Sequence, residues 1–380
     1  MRTRPLALAA TLALPVAIAL TGCSGSDGAS DGASGDTISV KASDTACEVS
    51  HAQAPAGTVQ FTITNSGNKV NEFYVYAEGD RIVGEVENVA PGLTRTFHVD
   101  LSEPGAYQTA CKPGMVGDGI RAAFTVTGAS AAPRSGDENL AAAVDEYQRY
   151  VGAQSDAFLA RTTEFVELVK AGKVDEAKAL YPIARSYWER IEPVAESFGD
   201  LDPKIDGRAE VVDEGMAFTG YHRLEKDLWE DGLQPDSAAI ADQLLTDVTE
   251  LVTKATAVEL NPLQLANGSK ALLDEIATGK ITGEEERYSH TDLWDFEANF
   301  QGSKAAIQAL RPYLEAQDPA LVATIDERAK ALTALLATHA AADGYVLYPA
   351  LTPADLKALT AALDAFSEPV SKVAGAVAQG

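Results

Sequence analysis

Cysteine is scarce in this sequence, with three in 380 residues and no pair at C-x-x-C spacing. That excludes a disulfide scaffold, a zinc ribbon and a dithiol redox motif. Histidine is nearly as sparse. Its five copies (His51, His98, His222, His290 and His339) never stand four apart, so no H-E-x-x-H zinc-peptidase helix can be written. Positive charge is also short: 30 Lys and Arg against 56 Asp and Glu give a formal charge of −26. A nucleic-acid surface needs a basic footprint to displace phosphate counterions, so nucleic acid is excluded as a partner. Anionic lipid headgroups repel the same excess of acid. A cation is the natural partner of such a chain, although acid in excess also serves plain solubility. Hydrophobic residues still make up 46% of a chain long enough for two or three domains, which fits a globular protein.

The longest apolar run stands at the start. Arg2 and Arg4 precede Leu6–Leu20, a stretch too short to span a bilayer comfortably, which ends in Leu20-Thr21-Gly22-Cys23. This resembles a bacterial lipobox. The resemblance implies a lipoprotein signal peptide over 1–22, diacylglycerol on Cys23, and an exported protein held by lipid at the outer face of the cytoplasmic membrane, on the cell surface or in the periplasmic space. Cleavage removes two arginines and takes the side-chain charge to −28. Residues 23–36, rich in Gly, Ser and Asp, read as a flexible tether.

From 37 to 128 the texture is β. TISVKAS, TVQFTIT, NEFYVYA, RIVGEVE, TRTFHVDL, GAYQTAC and AAFTVTG recur between Gly, Pro, Asn and Asp punctuation, which predicts a Greek-key sandwich. Alternation in TRTFHVDL puts Phe97, Val99 and Leu101 on one face and His98 on the solvent side. The close of this region, Tyr107 to Met115 followed by the strand Ala122–Val126, resembles a cupredoxin. A blue-copper site takes two His, one Cys and a weak axial ligand. Here Asn71 or Glu72 occupies the region of the upstream His, Met115 replaces the second, and Ile120 falls near the axial Met. The fold is expected without a type 1 copper site. With Cys23 acylated, Cys47 and Cys111 are left either as a disulfide or as a second metal site, copper being one candidate, with Glu72 or Glu103 nearby.

Residues 129–139 form a small-residue linker, and from 140 to 380 the chain turns rich in Ala, Leu and Glu with apolar residues at spacings of three and four. Asn139 is placed to cap the first helix. Further helices are predicted over about 174–198, 208–230, 236–257, 262–278, 291–316, 318–342 and 353–377, too many for one small bundle. An all-α domain of two linked helix bundles is expected.

Three stretches of this domain carry chemistry. In GYHRLEKDLW, His222 and Glu225 stand at i, i+3, so they can address one cation from a shared helix face. In YPIARSYWERIEP, Glu189 and Glu192 are spaced alike beside Trp188 and Ile191, where an unpaired charge is costly, and Arg185 is a simple salt-bridge partner for Glu189. Asp206 follows on the next connection. In EEERYSHTDLWDFEAN, Glu286 and Asp292 join the candidate ligands, though acid here also suits a helix start capped by Ser289 or Thr291. His290 is placed to bond locally, and His339 reads as a lone helix residue.

Together with YPIARSYWERIEPVAESFGDLDPKID and RYSHTDLWDFEANFQGSKAA, these motifs resemble the imelysin (M75) family, in the form that carries a cupredoxin-like domain ahead of the helices. The resemblance covers nearly all of 37–380. It implies an iron-binding component, for Fe(II) or Fe(III), that works with a membrane permease and a haem peroxidase partner. It also implies a retained metal site of His222 and Glu225 with Glu189, Glu192 and Asp206. Carboxylates with one imidazole suit a hard cation, ferric iron especially. The family's peptidase label raises proteolysis as an alternative, yet the helical region has no Gly-x-Ser-x-Gly and no H-E-x-x-H. A surface adhesin or scaffold with a vestigial metal site is the other.

Overall fold

The computed structural model describes residues 37–130, 137–199 and 201–378. The expected signal peptide, tether and Cys23 anchor lie outside the described residues, as do 131–136 of the expected linker. Strands β1 (Ile38–Ala42), β2 (Cys47–Val49), β4 (Gly57–Asn65) and β7 (Thr94–Leu101) form one sheet in the order β2-β1-β4-β7. Strands β3 (Gln53–Pro55), β5 (Asn71–Tyr76), β6 (Ile82–Val89), β8 (Gly105–Cys111) and β9 (Ile120–Thr127) form the other, in the order β3-β9-β8-β5-β6. The pairs β1–β4 and β3–β9 run parallel and the other pairs antiparallel. Alternate residues of both sheets point inward, where Phe61, Phe73, Phe97 and Phe124 fill the sandwich.

Cys47 and Cys111 are joined in a disulfide with Cα atoms 5.6 Å apart. This corrects the expectation of a second metal site in the sandwich, because neither sulfur remains a thiolate. Nor do the carboxylates converge on it. Cys111 pairs with Phe73 and faces the core, whereas Glu72, one residue out of phase, lies with Tyr74 on the other face of the sheet, where the Tyr74 hydroxyl donates to Glu72 Oε2 at 2.9 Å. Glu103 precedes β8, at the end of that strand opposite Cys111, and takes a hydrogen bond from Ser130. A blue-copper centre fails for the same reason, with the sulfur of Cys111 bonded and Met115 41% exposed.

The helical region begins with α1 (Glu138–Lys170), whose N-cap is Asp137, its side chain accepting from the Asn139 amide at 2.7 Å, rather than Asn139 itself. At about 1.5 Å per residue α1 is roughly 50 Å long, and its two halves enter different cores. Leu140, Tyr147 and Val151 pack with α7 (Pro262–Thr278), α8 (Asp292–Gln317), α9 (Pro319–Leu336), α10 (Pro353–Val370) and α11 (Val373–Ala378). Phe158, Phe165 and Val169 pack with α2 (Val174–Glu189), α4 (Leu201–Ile205), α5 (Gly220–Lys226) and α6 (Ser237–Ala257). These are two linked bundles with α1 as the shared member.

The helix predicted over 174–198 breaks after Glu189 and resumes as the single turn α3 (Glu192–Ala195). Pro193 has no amide hydrogen to donate and sits where that lack is tolerated, in the first turn of α3. The expected run over 208–230 is a 3₁₀ stretch followed by α5, which continues as a π turn to Asp231. The sandwich lies against α7, where the Asn267 side-chain amide donates to the His98 carbonyl at 2.7 Å. His98 thus lines a crevice of about 210 Å³ between β7, α7 and α11 instead of facing open solvent.

The disulfide closes 64 residues of sequence, for which chain entropy gives about 4 kcal/mol. Replacing both Cys47 and Cys111 by Ser is expected to lower the urea midpoint of the sandwich by an equivalent of about 2–4 kcal/mol. Thiol titration of the unreduced protein should find neither sulfur free.

Candidate metal centre

Between the two helical cores lies a chamber of buried charge. Arg185 on α2 is fully buried, and its guanidinium meets Asp206, Glu189 (2.5 Å), Glu285 (3.5 Å), Glu286 and Asp295 (3.8 Å). A wall of Tyr181, Tyr221, Trp188, Phe158 and Phe165 backs α2 and α5, so the charges sit against low-polarity rings. At the far side the Lys280 ammonium, 1% exposed, lies 3.3–3.7 Å from Glu189, Glu192, Glu275 and Glu285. The Asn299 amide on α8 donates to Glu189 Oε2 (3.0 Å) and Glu192 Oε2 (2.8 Å), so the two carboxylates stay together although their helix is broken between them.

His222 and Glu225 share a face of α5, as their spacing predicts. Glu225 is fully employed: Oε2 pairs with His222 Nδ1 at 3.0 Å, and Oε1 accepts from the amides of Tyr288 (2.9 Å) and Ser289 (2.7 Å). A carboxylate on Nδ1 fixes the ring and presents Nε2 to the chamber. That Nε2 is buried without a hydrogen-bond partner, 3.7 Å from Asp206 Oδ1 and 3.6 Å from Glu285 Oε1. Donor atoms of Asp206, His222 and Glu285 all lie within 4.8 Å of one another, as do those of His222, Glu225 and Glu286, and those of Glu189, Glu192 and Asp206. Over His222 a cavity of about 10 Å³, lined by Arg208, Glu284, Glu285, Arg287 and Tyr288, opens outward. It has room for one water-sized sphere.

Gly220 sets the position of α5. Its φ of +75° lies in the left-handed region that most L side chains avoid, and a Cβ there would meet the Ile205 carbonyl oxygen at 2.2 Å. The helix carrying His222 can therefore lie directly on the end of α4, one residue from Asp206.

The chamber holds protons where it lacks cations. Burial and the Arg185 charge oppose ionisation of His222, but Glu225, Glu285 and Asp206 outweigh them and raise the imidazole to about 10. Burial, reinforced by the Glu225 charge, raises Glu286 to about 8. Burial likewise raises Glu189, Glu192 and Asp295, and lifts Asp292 to about 6. Glu285 goes the other way: Lys280, His222 and Arg208 overcome its burial and hold it well below the usual carboxylate range. A hard cation entering here meets ionised oxygens on one side and displaceable protons on the other.

Two comparisons converge on this architecture. Residues 143–373 match the imelysin (peptidase M75) family, and residues 12–126 match the cupredoxin-like domain. The iron uptake system component EfeO of Escherichia coli O157:H7 is 37% identical over 344 residues, covering 89% of this chain and 90% of that protein. Those of Escherichia coli K12 and Shigella flexneri are each 36% identical over the same coverage. The chain belongs to the EfeO family.

Within this EfeO-type chain, the residues expected from sequence have separate places. His222, Asp206, Glu189, Glu192 and Glu286 all face the chamber. Glu225 stands behind the imidazole, and Asp292 braces the turn before α8 by accepting from the Glu286 amide at 3.1 Å. Thr291 occupies the N-cap of α8 but makes no capping bond, its hydroxyl pairing with Ser289 instead. Sequence reasoning missed Glu285, Asp295, Asn299 and Lys280. The first stood in the same acidic run as Glu286, and Asp295 and Asn299 lie three and seven residues after Asp292, on its helix. Lys280, in Gly-Lys-Ile-Thr-Gly, carried no signal.

Two outcomes follow from this geometry. Groups raised in the folded state contribute stability that is full below their unfolded values and lost as pH rises through the folded ones. Glu286 and His222 should therefore make the cation-free protein melt lower as pH rises from about 5 through 8 and on towards 10, and added cation should restore the loss with release of protons. Gly220→Ala should displace α5 and lower cation affinity at least tenfold, as read by calorimetry, with circular dichroism checking that the helices persist.

Proposed function

We propose that this protein is the extracytoplasmic iron-binding component of an iron-uptake system, which captures iron in the helical chamber and delivers it to a membrane permease. The observation that carries this reading is His222 Nε2, a buried imidazole nitrogen that makes no hydrogen bond and stands 3.7 and 3.6 Å from the carboxylates of Asp206 and Glu285. Buried polar atoms are normally hydrogen-bonded, and a nitrogen and two carboxylates held together but beyond hydrogen-bond length are the arrangement a cation would draw in. One nitrogen among oxygens suits iron, ferric above ferrous, better than the softer thiophilic metals. The relatives' name, iron uptake system component, agrees with that chemistry.

Capture and release then need no bond chemistry from the protein. Binding displaces the imidazole proton, and return of that proton, with those on the neighbouring carboxyls, loosens the ion. Delivery requires a permease at the membrane, and a haem peroxidase partner fits a system that changes the oxidation state of iron. A lipid on Cys23 would keep the carrier beside both; among the described residues no helix is long and apolar enough to cross a membrane. Peptidase activity is disfavoured because the relatives are named as iron uptake components and the helical region carries neither H-E-x-x-H nor Gly-x-Ser-x-Gly.

Iron titration of the purified protein checks the assignment. His222→Ala should abolish tight binding, and Glu225→Gln, which loosens the ring without removing a ligand, should weaken it by about 10–100-fold. Unchanged iron affinity in folded His222→Ala would refute the site.

A further inference from the structure

The reading above leaves the far side of the chamber unexplained. Lys280 is 1% exposed, yet its ammonium makes no close ion pair: the nearest oxygens are Glu192 Oε1 at 3.3 Å, Glu189 Oε2 at 3.4 Å, Glu285 Oε1 at 3.6 Å and Glu275 Oε2 at 3.7 Å. A lysine paired for stability settles on one carboxylate at about 2.7–2.9 Å. Arg185, in the same chamber, does bind closely, at 2.5 Å from Glu189. Lys280 instead stands roughly equidistant from four carboxylates, as an ion stands in a cage. Beside it, the Asn299 amide that donates to both Glu189 and Glu192 has its Oδ1 buried without a partner, a neutral oxygen donor next to the same carboxylates.

The cage touches the imidazole position. Glu285 Oε1 is 3.6 Å from both His222 Nε2 and Lys280 Nζ, and Asp206 belongs with His222 and Glu285 as well as with Glu189 and Glu192. Carboxylates shared between neighbouring positions are how two-metal sites hold ions about 3.5–4 Å apart. We propose that the Lys280 ammonium occupies a second cation position in this chamber and thereby holds the protein to a single iron. The inference rests on the iron-binding reading and adds to it a residue that sets stoichiometry.

Lysine suits the task as a compact point charge on a flexible four-carbon stem. It is carried on the 3₁₀ turn Lys280–Thr282, which ends at Gly283 in the left-handed region with φ +74, and it neutralises part of a cluster that would otherwise be buried with too few counter-ions. Removing its charge and shortening the side chain, as Lys280→Gln does, leaves four carboxylates around the vacated ammonium position.

The test is to count metal per chain in the whole protein after anaerobic loading with Fe(II) and desalting, and in parallel with Mn(II) followed by electron paramagnetic resonance. The unaltered protein and Lys280→Arg should each retain one ion. Lys280→Gln should retain two, with a spin-coupled Mn(II) pair, and Lys280→Gln combined with His222→Ala should fall back to one. A single ion in Lys280→Gln, with affinity equal to that of the unaltered protein, overturns the proposal, as do two ions in Lys280→Arg. Should Lys280→Gln fold poorly, a rise in its melting temperature with Mn(II) exceeding that of Lys280→Arg supports the second position, and no such rise counts against it. Failure of the iron-binding reading looks different: the unaltered protein would bind no iron, or His222→Ala would bind as well as it does.

Discussion

Burying Glu189, Glu192, Asp206, Glu225, Glu285, Glu286, Asp292 and Asp295 together subjects the helical domain to one electrostatic demand. So many carboxylates cannot all ionise in a low-polarity interior without counter-charge. Arg185 and Lys280 supply two buried positive charges, and protons held by His222 and Glu286 supply more. Each structural element at the chamber answers this demand. The aromatic wall keeps the charges in one place, the break after Glu189 turns two acids toward Lys280, and the amides before α8 bind Glu225 so that its partner imidazole points inward.

A cluster built this way costs stability when empty. Replacing such groups by apolar ones of similar volume is often neutral or favourable for folding, so their presence is weak support for a purely structural role. The proposed cation, displacing the protons held by His222 and Glu286, would offset that cost. The cluster also distinguishes the two domains by chemistry: the sandwich is closed by a disulfide and an aromatic core, whereas the helical region holds the buried histidine among carboxylates.

Much of this was legible in the sequence. The alternation in TVQFTIT and TRTFHVDL became the paired strands β4 and β7, and the i, i+3 spacing of His222 and Glu225 became a real contact, because both patterns are local. The short strands β2 and β3 were missed, being too brief to show a period. So was the break inside 174–198, which Pro193 marked but the surrounding apolar spacing overrode. Lys280 and Asn299 were invisible for a different reason. Their partners Glu189 and Glu192 lie 88 residues or more away in the chain, and nothing in Gly-Lys-Ile-Thr-Gly records that. Likewise Glu225 reads as a ligand from spacing alone, and spacing does not record that its oxygens meet His222 Nδ1 and the amides of Tyr288 and Ser289.

The narrow opening above His222 bears on selection in another way. The cavity over His222, with room for one water-sized sphere, has no space for an ion with its hydration shell intact, so an ion taken up there under the proposed function would have to shed water. Magnesium is hard and takes oxygen donors, but it dehydrates reluctantly and keeps several waters when bound. Arg208 and Arg287, which line the cavity, add charge repulsion against a dication that keeps its water. Under the proposed function the small cavity would thus favour ions that dehydrate readily, in addition to any difference in affinity at the chamber.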